Sequence, residues 1–168
     1  MVDLGPLKAV VVGFFNRQKG PYQMDRGRTR CWRNGHYSFN VGRTRAFGSK
    51  VTVPSANMRR DKSRIFDECR RAFPEFAFDG VQVNRNFLCK PHRDRLNVGV
   101  SLIFSFGDYT GGGLVVEGEE VDVRDKPYVF DAHANTHSVL PFEGTRYSVV
   151  LFPLERGPHT PFSGTSAE

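Results

Sequence analysis

Apolar positions follow two different periods along the chain, and the change comes after Pro74. In Asp61–Phe73 the residues Ile65, Phe66, Cys69 and Phe73 recur at i, i+1, i+4 and i+8, one face of a helix. Pro74 closes that helix, because proline carries no N–H and cannot continue the ladder. Beyond it come short β-rich runs at Gly80–Leu88, Val98–Phe106, Gly113–Val116, Pro127–Phe130 and Tyr147–Phe152, separated by Gly, Asp or Pro. Many short strands with turn residues between them predict an all-β sandwich or barrel. Upstream of the helix, His36–Val41 alternates as a strand does, and the apolar run Leu7–Phe15 also reads as a strand. The expected architecture is mainly β with flanking helices, in a single domain over residues 1–155. That domain has an N-terminal part at 1–79 and a β core at 80–153, and a loose tail containing Pro158, Pro161 and Gly164 follows at 156–168.

Composition narrows the class. A chain of 168 residues suffices for one domain with a real core but not for two comfortable ones. The hydrophobic fraction of 39% is low, and 15 Phe supply the bulk. No segment reaches the apolar length of a membrane span, and Met1–Pro6 opens no signal peptide, so the expectation is a soluble intracellular monomer. Cys31, Cys69 and Cys89 are odd in number and far apart, which fits free or buried thiols rather than a disulfide framework or a zinc site.

Charge changes the picture more. Arg17–Arg64 holds 13 Lys or Arg against only Asp25 and Asp61, while the rest of the chain is net acidic. Arg26, Arg28, Arg30 and Arg33 surround Trp32, and Arg43 and Arg45 precede Phe47. Cationic side chains neutralise phosphates and aromatic faces stack on splayed bases, so Arg28, Arg30, Trp32, Arg33, Arg43 and Arg45 are candidate nucleic-acid contacts. The plain alternative is a solvated basic surface with Trp32 in the core. Arg59, Arg60, Arg64, Arg70 and Arg71 read as the wet face of the helix.

The chemistry is concentrated in His92-Arg93-Asp94, with His137 43 residues after the aspartate and Arg146 nine residues later. On a strand, residues two apart share a face, so His92 and Asp94 can ligate one ion from a barrel interior. Two imidazoles and a carboxylate form a facial triad for Fe(II), leaving other coordination positions open for a co-substrate and O₂. His-x-Asp alone is a weak signal. The run Thr110-Gly111-Gly112-Gly113-Leu114, the distal histidine and Arg146-Tyr147-Ser148 strengthen it. His133 competes with His137 for the third position. His36 and His159 have no partner in sequence and read as surface residues.

Taken together these residues resemble the Fe(II)/2-oxoglutarate-dependent oxygenases, over roughly residues 81–153. The resemblance implies a double-stranded β-helix (jelly-roll) core, with His92, Asp94 and His137 as metal ligands and Arg146 paired to the far carboxylate of 2-oxoglutarate. It favours His137 over His133, since the separation of nine residues from Arg146 is the family's usual one. Ser148, two along the same face as Arg146, would add a hydrogen bond. Asn84 or Asn86 would hold the co-substrate's other end, or else serve as a buried turn amide. Because Asp94 is retained, hydroxylation is implied rather than halogenation. Phe87-Leu88-Cys89-Lys90-Pro91-His92-Arg93-Asp94 and Gly107-Asp108-Tyr109-Thr110-Gly111-Gly112 look most like the TET/JBP-type nucleic-acid base oxygenases and their small algal and viral relatives.

That branch implies oxidation of the methyl group of 5-methylcytosine or thymine to hydroxymethyl and beyond. The implied partner is nucleic acid, methylated DNA before RNA. Fe(II) would be the bound cofactor, 2-oxoglutarate and O₂ would be consumed, and ascorbate would serve as reductant or alternative co-substrate. Two other readings stand beside it: a prolyl-type protein hydroxylase with the same chemistry, and a non-catalytic nucleic-acid-binding barrel.

Overall fold

The computed structural model describes residues 1–17, 37–45, 52–54, 60–95 and 97–154. Its elements in chain order are α1 (Gly5–Arg17), β1 (Tyr37–Arg45), β2 (Thr52–Pro54), α2 (Arg60–Ala72), β3 (Gly80–Arg85), β4 (Ser101–Gly111), β5 (Leu114–Val116), β6 (Glu119–Val121), β7 (Tyr128–Phe130), β8 (His137–Val139) and β9 (Phe142–Phe152). Two sheets result, β2-β1-β3-β9-β4-β7 and β6-β5-β8, with every strand pair antiparallel. The smaller sheet gains a further edge from the segment after β3. His92 bridges His137 through both backbone hydrogen bonds, and the Val139 amide donates to the Cys89 carbonyl. This mainly-β arrangement with two helices is the expected double-stranded β-helix.

Leu7–Phe15 is a helix, not the strand that its run of valines suggests. Leu7, Val11, Phe14 and Phe15 are the buried residues, spaced i, i+4, i+7 and i+8, so a helix delivers one continuous apolar face. Asp3 supports its start by accepting a hydrogen bond from the Gly5 amide at 2.9 Å, and Pro6 sits where a first-turn N–H has no partner to lose. The expected helix at 61–73 is α2, which buries Ile65, Cys69 and Ala72.

Alternation in the large sheet separates two cores. Phe39, Val41, Val81, Val83, Leu102, Phe104, Phe106, Tyr147, Val149 and Leu151 pack against the helices. The opposite, inner side holds a smaller cluster of Ile103, Leu114, Val116, Val123, Phe130 and Ala132, with Val150 packed on it. Since Val150 faces inward, Arg146 and Ser148 share its side of β9. The register then sets Ser148 opposite both Asn84 of β3 and Ser105 of β4. An inner face interrupted by polar side chains is what a ligand cavity requires and a plain core does not.

Strands β2, β6 and β8 have three residues each and were not foreseen, and the others shift by a few residues at their ends. Cys69 is buried, and burial pushes its thiol far above the ordinary value, so it stays protonated and inert. Cys89 is half-buried.

Candidate functional site

His92 and Asp94 do not lie on a regular strand, as their spacing suggested. Outside the two-residue bridge to His137 that stretch makes no ladder, and the Asp94 amide donates instead to the Ala132 carbonyl at 2.8 Å. The bridge does the work expected of a strand, because it locks His92 directly beside His137. One donor atom from each of His92, Asp94 and His137 lies within 4.8 Å of the others. His92 Nε2 stands 3.4 Å from Asp94 Oδ1, and His137 Nε2 stands 3.7 Å from Asp94 Oδ2. Bonds of about 2.1 Å to a divalent ion would set adjacent ligand atoms about 3 Å apart, so the two histidine–aspartate pairs stand within about an ångström of ligating spacing.

Both imidazoles are prepared for that role from behind. His92 Nδ1 is 2.7 Å from the Lys90 carbonyl oxygen, and His137 Nδ1 is 3.0 Å from that of Asn135. A carbonyl oxygen only accepts, so each ring donates from Nδ1 and leaves Nε2 on the side of Asp94. Burial lowers the His137 pKa below its ordinary value, against the pull of the Asn135 carbonyl and the Asp94 carboxylate, which keeps the lone pair available. The Phe130 ring meets the His137 ring edge-on at 5.1 Å between centroids. His133 stands outside the cluster: it is exposed, and its Nδ1 is 3.1 Å from the Arg95 carbonyl oxygen.

Arg146 is 1% exposed, the largest fully buried side chain among the described residues. Its Nε donates to the Gly112 carbonyl at 3.1 Å, and its Nη2 is buried with no hydrogen-bond partner. Tyr109 and Phe142 present ring faces 5.6 and 5.9 Å from the guanidinium carbon. Burial pushes the guanidinium below its ordinary pKa, Tyr109 pulls the other way, and an arginine stays charged regardless. No carboxylate among the described residues pairs with it. A buried cation with an unfilled donor is a receptor for an anion. A cavity of about 280 Å³, lined by Ser105, Tyr109, Gly112 and Arg124 among others, adjoins this end of the inner face.

Ser148 and Asn84 are buried and bonded to each other, Asn84 Nδ2 donating to Ser148 Oγ at 3.0 Å. Asn86 sits just past β3 with a left-handed φ of 54°, and its Oδ1 accepts from the Arg146 backbone amide at 2.9 Å. Tyr109, whose hydroxyl is 2.8 Å from Ser105 Oγ, was missed by sequence reasoning, as was Gln82. Gly112 was noted only as part of a glycine run, which was the available signal. Arg28, Arg30, Trp32 and Arg33 lie outside the described residues. Arg43 is exposed on β1, and of Arg45 only the backbone is described. Lys90, Arg93 and Arg95 are also exposed, Arg93 and Arg95 alternating with His92 and Asp94, and Arg93 Nε donates to Thr136 Oγ1 at 3.1 Å.

Neither a protein-family model nor a curated protein sequence matches this chain. Solved structures do. NgTET1 in complex with 5mC DNA superposes with a TM-score of 0.59 at 13% identity, covering 89% of this chain and 67% of that one. A prolyl hydroxylase from Trichoplax adhaerens, in complex with a hypoxia inducible factor oxygen degradation domain peptide fragment, gives 0.56 at 12% identity, covering 88% and 76%. A Pseudomonas putida prolyl-4-hydroxylase gives 0.53 at 14% identity, covering 92% and 89%. These likenesses establish the fold. One of the matching structures holds DNA and another a peptide, so the fold leaves the substrate open.

Proposed function

We propose that the protein is an Fe(II)- and 2-oxoglutarate-dependent dioxygenase that oxidises the methyl group of a nucleic-acid base. The observation that carries the chemistry is the presence of two features together: a His-Asp-His cluster with both Nε2 atoms on the side of Asp94, held by β8 and the segment bridged to it, and on β9 a buried arginine whose Nη2 has no hydrogen-bond partner. His92, Asp94 and His137 hold the iron. Arg146 takes the far carboxylate of 2-oxoglutarate, for which a rigid guanidinium fork is the fitting partner. When bound, iron and 2-oxoglutarate together supply the activated oxygen for hydroxylating an unreactive C–H bond. The chain's own part is to orient the ligands through the Lys90 and Asn135 carbonyls, to seat the co-substrate, and to exclude water with Phe130 and Tyr109.

Charge supports nucleic acid as the substrate. Lys90, Arg93 and Arg95 put three exposed cations in the very segment that supplies two metal ligands, and Arg17–Arg64 adds a balance of 13 basic to two acidic residues. The likeness to NgTET1 with 5mC DNA supports the same reading. A base must leave its stack to reach such a metal, and a basic, aromatic loop around Trp32 would cap the extruded nucleotide. The intact triad weighs against a non-catalytic barrel.

The decisive experiment incubates the protein with Fe(II), 2-oxoglutarate and methylated DNA or RNA and measures modified nucleosides by mass spectrometry. Hydroxymethylated base is the expected product. The likenesses to prolyl hydroxylases carry the second reading, which would stand if proline-containing peptides gained 16 Da and no oligonucleotide did.

A further inference from the structure

Gln82, Asn84 and Ser148 are joined by hydrogen bonds that all run one way. Gln82 Nε2 donates to Asn84 Oδ1 at 2.9 Å and also to Ser38 Oγ at 3.3 Å. Asn84 Nδ2 then donates to Ser148 Oγ at 3.0 Å. Asn84 and Ser148 are cross-strand partners on β3 and β9, while Gln82 lies one step further along the same face of β3. Ser148 is 4% exposed, and Asn84 is its one hydrogen-bond partner among the described residues. A hydroxyl has one proton and two lone pairs. With a lone pair occupied by Asn84, its proton remains to be donated, and its neighbour two residues back on that face is the buried Arg146.

We infer that Gln82 and Asn84 form a one-way hydrogen-bond relay that holds the Ser148 hydroxyl as a donor toward the carboxylate bound by Arg146. The inference rests on the proposed co-substrate reading and assigns a different task to Asn84: it is a positioning residue acting through Ser148, and Gln82 acts through Asn84. An amide left to rotate would offer Ser148 an acceptor as readily as a donor, and Ser148 would then spend its proton on the protein. Gln82 removes that freedom by filling Asn84 Oδ1. The inner face therefore presents a donor to the ligand end beside Arg146, which suits a carboxylate oxygen.

Binding of 2-oxoglutarate to the Mn(II)-loaded full chain, measured by calorimetry, tests this without turnover. Gln82→Glu replaces the donor by an acceptor, so Asn84 turns its NH₂ toward the introduced carboxylate and its oxygen toward Ser148. Affinity should fall about tenfold, the order expected for a lost hydrogen bond to a charged group. In a Ser148→Ala background the same change should cost almost nothing, because no hydroxyl remains to be reversed. Simple repulsion between the introduced carboxylate and the ligand would instead persist in that background, and that result would overturn the relay. Asn84→Ala provides a test free of new charge. Its loss and that of Ser148→Ala should not add, whereas additive losses would make Asn84 a direct ligand contact and sink the proposal. Unchanged Mn(II) affinity and melting temperature show that each variant is folded. A wild-type chain that binds Mn(II) but no 2-oxoglutarate would overturn the functional reading itself and the relay with it, an outcome distinct from additivity.

Discussion

Arg146 and Gly112 are fitted to each other on both sides of one contact. Arg146 Nε donates to the Gly112 carbonyl at 3.1 Å, and a Cβ built on Gly112 would sit 3.0 Å from both Cδ and Nε of that arginine. The same Cβ would stand 3.1 Å from Phe142 Cβ. Gly112 also has φ +72°, where an L side chain costs roughly 1–2 kcal/mol.

Gly112→Ala therefore combines backbone strain with displacement of the guanidinium. Its effect should appear mainly as weaker 2-oxoglutarate binding, with Mn(II) affinity nearly unchanged. Gly118, at φ +84° with nothing within 4 Å of its added Cβ, is the control. Gly118→Ala should show a comparable stability loss and normal co-substrate affinity. Equal co-substrate affinity in both variants would mean that the Gly112 contact does not set the Arg146 position.

Arg146→Ala should raise the KM for 2-oxoglutarate by roughly 30- to several-hundred-fold, since losing a charge-assisted pair in a desolvated site costs about 2–4 kcal/mol. Arg146→Lys should recover only part of this, because an ammonium cannot reproduce the fork that reaches both the Gly112 carbonyl and a carboxylate. Full turnover with ascorbate and no 2-oxoglutarate would contradict the assignment.

His92→Ala, Asp94→Ala and His137→Ala should each abolish iron-dependent turnover, because two ligands do not define a facial site. The wild type should melt higher with Mn(II), by the free energy of binding to the folded state alone, and a chelator should reverse the gain. His133→Ala should keep most activity, since its ring is bonded to the Arg95 carbonyl and not to the cluster. A dead His133→Ala beside an active His137→Ala would exchange the two assignments.

How much of this was legible in the sequence follows from how far each feature depends on distant partners. His92, Asp94, His137 and Arg146 stand out by residue type and spacing, and the structure brings the first three together. The strand expected for His92 and Asp94 failed because an isolated bridge to His137, not a ladder, holds the segment. The strand β8 has three residues and exists only because β5 and that bridge flank it. At Leu7–Phe15 the consecutive valines mask a helical period that burial against the sheet makes plain. The relay was invisible for a like reason, since Asn84 and Ser148 are 64 residues apart and meet only through the β3–β9 register.

Salt dependence tests the substrate class. If exposed cations grip phosphates, the affinity for methylated oligonucleotides should fall linearly in log–log form with salt, because each neutralised phosphate releases counterions. Neutralising Lys90, Arg93 and Arg95 to Gln should flatten that slope by about one per lost contact and weaken all sequences alike. Neutralising Arg28, Arg30 and Arg33 should flatten it separately, since those residues belong to the other basic segment. Trp32→Ala should harm turnover more than bulk binding if Trp32 stacks on the extruded base, and a melt of the variant separates that from loss of the fold. Mn(II) affinity checks that His92 and Asp94, which alternate with the mutated arginines, remain in place. Binding that is absent or insensitive to salt, in a chain that still consumes 2-oxoglutarate, would remove nucleic acid as the substrate and move the assignment to a protein side chain.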